Sequence, residues 1–301
     1  MTAASDPVSD LFERSRGRLF SLAYRMTASV ADAQNVVQDT WVRWMGAPQE
    51  GVHDPLAYWV RTATRLCLDL QKSARVRREQ YVGAWLPDPL VSTDRAGDPH
   101  AAFSDREDVD VALMLALERL SPAERAAFLL RDVFDLDMPQ LSEALSKSPA
   151  ACRQLLSRAR KHLADLRPRY VPEDAETLVE EFWRACRTGD VEALTRLLVQ
   201  GVEVRADGGG RVPSALNALH GRDRAVRFFH GLARKYPARG SLIRFATVHG
   251  APGIVSRDAN GTLQVTSFAF DEQGLCGVWI VRNPEKLAGL VSRDGDPLGP
   301  Q

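Results

Sequence analysis

Two all-α domains followed by an α+β domain are what this chain predicts, and three observations carry that reading. Apolar residues recur at helical spacing from the N-terminus to about Arg169. Alternating or continuous apolar runs of strand length fill residues 242–281. Composition turns to proline, glycine and aspartate at residues 81–106 and shifts again at Pro172. With 301 residues, 45% of them hydrophobic and 26% charged, the chain can bury more than one core. The divisions fall at 1–80, 81–107 (a linker), 108–170, 171–290 and a flexible tail at 291–301.

In the first division, Leu11, Phe12, Leu19, Phe20, Leu22, Ala23 and Met26 supply the stripe of a first helix. Ser29 opens a second, with Asp32 three residues on as a weak capping box. Ala33, Val36, Val37, Thr40, Trp41 and Trp44 form its buried face. A polar loop follows, then Asp54-Pro55 as N-cap and first turn of a long helix to about Arg78. The linker is not featureless, because Trp85, Leu86 and Leu90 stand between its prolines and predict docking on a domain surface.

From Ser121 to Leu163 three short amphipathic helices are separated by tight breaks, and the last begins at a Ser148-Pro149 cap. Cys152, Leu155, Leu156, Ala159 and Leu163 mark its core face, which leaves Ala151, Arg153, Gln154, Ser157, Arg158 and Lys161 outward. A short helix, a turn and a capped, arginine-bearing helix is the pattern of a helix-turn-helix that enters the DNA major groove. Arg153, Gln154 and Ser157, near the N-terminal end, are placed to read base edges, while Arg158, Arg160 and Lys161 suit phosphates.

The last division reads as a helix pair over 176–199 broken at Gly189-Asp190, a short strand at Val202–Ala206, a helix over Arg222–Lys235, and then strands. Those strands predict a curled antiparallel sheet, a cone with an internal pocket. Its titratable groups, Asp207, His220, Arg222, His230 and His249, are scattered and form no triad, carboxylate pair or metal set. The glycines after Asp207 lack the lysine and helix start of a phosphate loop, so they serve a sharp backbone bend.

Net charge is zero, with 39 basic against 39 acidic residues, but the arginines cluster at 61–78 and 153–169 while 88–110 is acidic. Local basic stripes on a neutral chain favour partner-assisted nucleic-acid binding over bulk attraction to polyanions. Cys67, Cys152, Cys186 and Cys276 are far apart and read as reduced small hydrophobes, with no metal and no cofactor expected. Early acids and the lack of a long apolar run predict a cytoplasmic protein without a membrane contact.

LFSLAYRM, SVADAQNVVQDTWVRW and DPLAYWVRTATRLCLDL within residues 10–80 resemble region 2 of extracytoplasmic-function (ECF) sigma factors. LERLSPAERAAFLLRDVF and SPAACRQLLSRARKHL within 108–167 resemble region 4, and residues 176–290 are similar to a SnoaL-like domain of the NTF2-like superfamily. WLPDP (Trp85, Leu86, Pro87 and on to Pro89), DGGG (Asp207, Gly208, Gly209, Gly210) and NPEKL (Asn283, Pro284, Glu285, Lys286, Leu287) resemble the markers of the subgroup carrying that C-terminal extension.

That resemblance implies a sigma factor without catalysis of its own, which directs promoter-specific initiation by core RNA polymerase through the β′ clamp helices and the β flap. It places −35 recognition on the Ser148–Leu163 helix and −10 melting on the Asp54–Arg78 helix, with Gly46–His53 capturing a flipped base. There Arg61, Arg65, Lys72 and Arg75 would track phosphates, and Tyr58 and Trp59 would either stack on unpaired bases or pack in the core. The Val30–Met45 helix would bind polymerase through Asp32, Gln38, Asp39 and Arg43. Gln34-Asn35 replaces the acidic pair expected there, which weakens charge pairing with a basic partner. The three C-terminal markers would form a regulatory interdomain contact. Two other readings of that domain stand beside this one: a sensor for a small ligand, and an enzyme joined to a helix-turn-helix regulator.

Overall fold

The computed structural model describes residues 7–79 (side chains to 72), 81–92, 109–166, 170–236 and 240–290. The Arg75 side chain, the acids from Asp94 to Asp108 and the tail at 291–301 therefore lie outside the described residues. The chain divides into two compact units, residues 1–79 with 113–166, and residues 80–112 with 167–301.

The helical unit begins with α1 (Pro7–Thr27), α2 (Val30–Met45) and α3 (Pro55–Glu79). Ser29 caps α2 by accepting from the Asp32 amide, and Asp54 caps α3 by accepting from the Ala57 amide at 3.0 Å. Leu19, Leu22, Ala23 and Met26 of α1 are fully buried, as the helical period requires. An aromatic cluster closes the bundle. Phe12 meets Trp41 at 4.5 Å and Trp59 at 5.0 Å, and Trp44 meets Trp59 edge-on at 5.5 Å.

After α4 (Val111–Leu117) come α5 (Pro122–Phe128), α6 (Met138–Leu145) and α7 (Pro149–His162). Reciprocal capping boxes, Ser121 with Glu124 and Asp137 with Gln140, start α5 and α6. Ser146 takes a left-handed conformation (φ 51°) that ends α6, and Ser148 accepts from the Ala151 amide at 3.2 Å to start α7. The helix-turn-helix is therefore α6–α7, with Cys152, Leu156, Ala159 and Leu163 buried and Leu155 half-buried. One feature departs from the helical period: α5 runs into a π-helical turn at Leu129–Val133.

The second unit carries α8 (Ala175–Thr188), α9 (Val191–Leu197) and α10 (Arg222–Lys235) against a six-stranded sheet. The strands are β1 (Leu198–Asp207), β2 (Leu219–His220), β3 (Ser241–Val248), β4 (Ala251–Arg257), β5 (Leu263–Asp271) and β6 (Gly274–Val281). Their order is β2-β1-β6-β5-β4-β3. The sheet is mixed rather than antiparallel throughout, because β1 returns beside β6 in parallel register. Short α11 (Pro284–Leu287) follows β6.

Phe182, Phe229 and Phe268 meet edge-on at 5.1 and 5.2 Å, and with Ile254, Phe270 and Val278 they fill the space between helices and sheet. Trp183 and Phe228 pack at the margin of that core. Trp279 alternates with Val278 and Ile280, so it lies on the opposite face of β6.

Candidate functional site

The α7 face that was expected to read DNA is laid out as one surface. Arg153, Gln154, Ser157, Arg158 and Lys161 are exposed, and Ala151 is half-buried beside them. Arg160 behaves differently from the expected phosphate contact. Its guanidinium grips Asp132 through two hydrogen bonds, Nε at 3.0 Å and Nη2 at 2.6 Å, which ties α7 to the π-turn.

On α3 the basic residues with described side chains are already engaged. Arg61 is ion-paired with Glu143 of α6 and lies over the Tyr58 ring at 5.5 Å, and Arg65 donates to the Ser146 hydroxyl at 2.9 Å. Lys72 pairs with Asp69 on the surface at 2.8 Å. Tyr58 is half-buried, edge-on to Trp44 at 5.2 Å. Trp59 is corrected from a base-stacking candidate to a core residue. It is 0% exposed beneath Phe12 and Trp44, because it falls on the inward face of α3.

On α2, Gln38, Asp39 and Arg43 are exposed and Asp32 is half-buried next to the cap. Sequence reading missed two neighbours, Val42 and Met45, which are 60% and 62% exposed. They share a stripe with Gln38 at spacings of four and three. Val42 and Met45 thus leave apolar surface in water beside polar side chains. Their place outside the buried period was the available signal.

In the second unit the three short motifs converge on one carboxylate. Asp207 ends β1 and is 1% exposed. Its oxygens accept from the Tyr81 hydroxyl (2.6 Å), the Leu86 amide (2.9 Å), the Gly209 amide (3.0 Å) and the Lys286 ammonium (2.8 Å). Lys286 also donates to the Leu86 carbonyl and stands over the rings of Trp85 (4.5 Å) and Tyr81 (5.2 Å). Asn283 caps α11 by accepting from the Glu285 amide and donates to the Tyr81 oxygen at 2.9 Å. Arg211 pairs with Glu285 at the rim. WLPDP, DGGG and NPEKL thus form one linker dock, with Tyr81 as the member that sequence reading did not name.

The glycines have a steric reason. Gly209 has φ +60°, and a Cβ there would strike the Asn283 amide, while one on Gly210 would press on Val82 of the linker. Leu86, Pro87, Pro89 and Val91 are buried in this dock. Beyond them the linker joins the sheet edge, where Ser92 donates to the Thr247 carbonyl at 2.9 Å and the His249 amide donates to the Leu90 carbonyl at 2.8 Å. Burial, then the adjacent Asp207 carboxylate, pushes the Tyr81 hydroxyl well above its ordinary value.

Among the described residues no acid–base constellation assembles around these groups. His220 lies 3.6 Å from Glu203, His230 faces the Gly189 carbonyl at 2.9 Å, and His249 sits in the β3–β4 turn. Burial raises the Cys67 and Cys186 thiols far above their ordinary value, which disfavours a thiolate nucleophile. Among the described residues no group of His, Cys, Asp or Glu has a metal-binding arrangement, and no helix is long and apolar enough to cross a membrane.

Comparison with known proteins matches this architecture. Residues 11–79 match the model of Sigma-70 region 2, and residues 110–163 that of Sigma-70, region 4. The ECF RNA polymerase sigma factor SigJ of Mycobacterium tuberculosis is 36% identical over 96% of either chain. The probable ECF RNA polymerase sigma factor SigI of the same species is 35% identical over 67% of this chain and 70% of its own. The crystal structure of M. tuberculosis SigJ superposes with a TM-score of 0.76 at 34% identity, covering 93% of this chain and 98% of that one.

Proposed function

The chain belongs to the extracytoplasmic-function sigma factors of RNA polymerase, and from that premise we propose how its own residues divide the work of promoter-specific initiation. The exposed face of α7 reads the −35 element, with Arg153 and Gln154 on base edges and Arg158 and Lys161 on phosphates. Arg61, Arg65 and Lys72 of α3 carry the −10 strand, with Tyr58 as the accessible ring. The α2 stripe of Gln38, Asp39, Val42, Arg43 and Met45 meets the polymerase clamp helices. Val42 and Met45 supply apolar contact where Gln34 and Asn35 have reduced the charge.

The C-terminal domain has a regulatory part and no chemistry of its own. The observation that carries this reading is the convergence of linker, DGGG turn and α11 on buried Asp207. Whatever loosens that dock frees the segment joining regions 2 and 4. Packing of Phe182, Phe229 and Phe268 through the domain interior supports a docking role over a ligand-filled cone.

Run-off transcription with core polymerase, this chain and a library of upstream sequences tests the proposal. Transcripts starting at defined positions are expected with the wild type, and their loss with Arg153→Ala on a helical protein supports the α7 assignment. Equal weakening by Arg153→Ala on specific and scrambled DNA would reduce Arg153 to a phosphate contact.

A further inference from the structure

The outward face of α10 is a basic stripe with a glycine at its middle. We infer that this stripe grips the phosphate backbone of duplex DNA, a contact made by the C-terminal domain itself. The inference rests on the sigma reading, which brings promoter DNA to the chain, and gives the regulatory domain a binding surface of its own.

Along α10 the arginines and lysine are Arg222, Arg224, Arg227, Arg234 and Lys235, against the acid Asp223. Arg222 is half-buried and donates to the Thr195 carbonyl at 3.5 Å, while the other four cations are exposed. At 3.6 residues per turn, Arg224, Arg227, Gly231, Arg234 and Lys235 fall within about 100° of arc. That arc lies opposite Ala225, Val226 and Phe229, which are buried in the domain core. Core packing therefore fixes the direction in which the stripe faces.

A helix face that is merely solvated carries both signs at ion-pair spacing. α8 and α9 do so, with Arg196 facing Glu181 at 4.0 Å. The four stripe cations form no ion pair with any described carboxylate, and Lys235 lies over the Tyr236 ring at 5.3 Å. Asp223 stands in the first turn, where it complements the helix N-terminus.

The spacing suits a duplex. Arg224 and Arg227 are centred about 13 Å along the axis from Arg234 and Lys235, at 1.5 Å per residue. The major groove is about 12 Å wide, so a helix laid across it sets one pair of cations on the phosphates of each bordering strand. Gly231 then falls over the opening. A Cβ there would meet nothing within 4 Å, so no neighbour within the domain requires a glycine, whereas close approach of a partner does. A protein partner would need an apolar centre, and the stripe has only Leu232, 37% exposed, at its margin.

Fluorescence anisotropy of a labelled promoter duplex, titrated across a salt series with core RNA polymerase carrying the full-length chain, tests this. Replacing Arg224, Arg227, Arg234 and Lys235 together by Gln is expected to reduce the slope of log affinity against log salt by roughly 3–4, at about 0.9 per phosphate contact. Promoter and scrambled duplexes are expected to weaken alike, because phosphates carry no sequence. An unchanged slope with circular dichroism retained would overturn the inference. So would a loss confined to assembly with core polymerase in the absence of DNA, which would make the partner an acidic protein surface. Should the fourfold variant lose its fold, Gly231→Glu, which sets a carboxylate in the middle of the stripe, takes its place with the same outcomes. If the wild-type holoenzyme selects no promoter, the sigma reading falls, and the same comparison on a scrambled duplex with the full-length chain alone still decides the stripe.

Discussion

Replacing Lys286 by methionine removes the cation from the linker dock while keeping a side chain of similar length. The Asp207 side chain is 0% exposed and that of Lys286 10%, so the pair is desolvated and the partner left behind is a buried carboxylate. Breaking a buried pair from one side costs about 3–5 kcal/mol. The Tyr81, Leu86 and Gly209 donors still hold Asp207, which lowers that figure. Loss of the contacts to Trp85 and Tyr81 adds about 0.5–2 kcal/mol. The expected loss is about 3–4 kcal/mol from the C-terminal unit's stability. Urea unfolding followed by tryptophan fluorescence reads it, and a double-mutant cycle with Asp207→Asn isolates the pair. A coupling of about 2 kcal/mol or more is expected. A single-variant loss below about 1 kcal/mol with coupling below about 0.5 kcal/mol would show that the dock does not depend on this pair.

Tyr81 gives the dock a pH dependence of definite sign. Its hydroxyl titrates above the ordinary value of 10.0 in the folded chain, so its contribution is complete below about pH 10 and fades as pH rises toward the folded value. An ultraviolet titration of wild type minus Tyr81→Phe should show a tyrosine ionising later than exposed ones; ionisation near 10 would contradict its burial beside Asp207. Gly209→Ala combines a left-handed backbone with a collision at Asn283 and should cost about 2 kcal/mol or more, whereas Gly201→Ala, with open space around it, should stay within about 0.5 kcal/mol by urea unfolding. Arg153→Ala should relax base choice by about 1–3 kcal/mol without a change in melting. Arg160→Ala, which cuts the half-exposed tie to Asp132, should lower stability by about 0.5–1 kcal/mol and leave base choice alone.

What was legible from the chain followed periodicity and capping. Ser148-Pro149, the stripe from Cys152 to Leu163 and the Gly189-Asp190 break are local signals, and each element starts or ends where they indicate. The parallel pairing of β1 with β6 joins residues far apart in sequence, and nothing in either strand's pattern fixes which neighbour it takes. The inward turn of Trp59 and the bond from Arg160 to Asp132 depend on tertiary packing, which the local pattern around a basic or aromatic residue does not carry. Tyr81 lies just ahead of WLPDP and outside that motif. Only the fold brings it within 2.6 Å of Asp207, 126 positions away.

Run-off transcription by core polymerase reconstituted with the full-length chain, compared side by side with Lys286→Met, reads both sigma activity and the effect of the linker dock on it. Promoter-specific transcripts that depend on the chain are expected, with a yield that changes when the dock is broken. Transcripts that never depend on the chain would contradict its action as a sigma factor. Transcripts of unchanged yield from a variant shown to have lost the dock would contradict regulation through Asp207 and the linker.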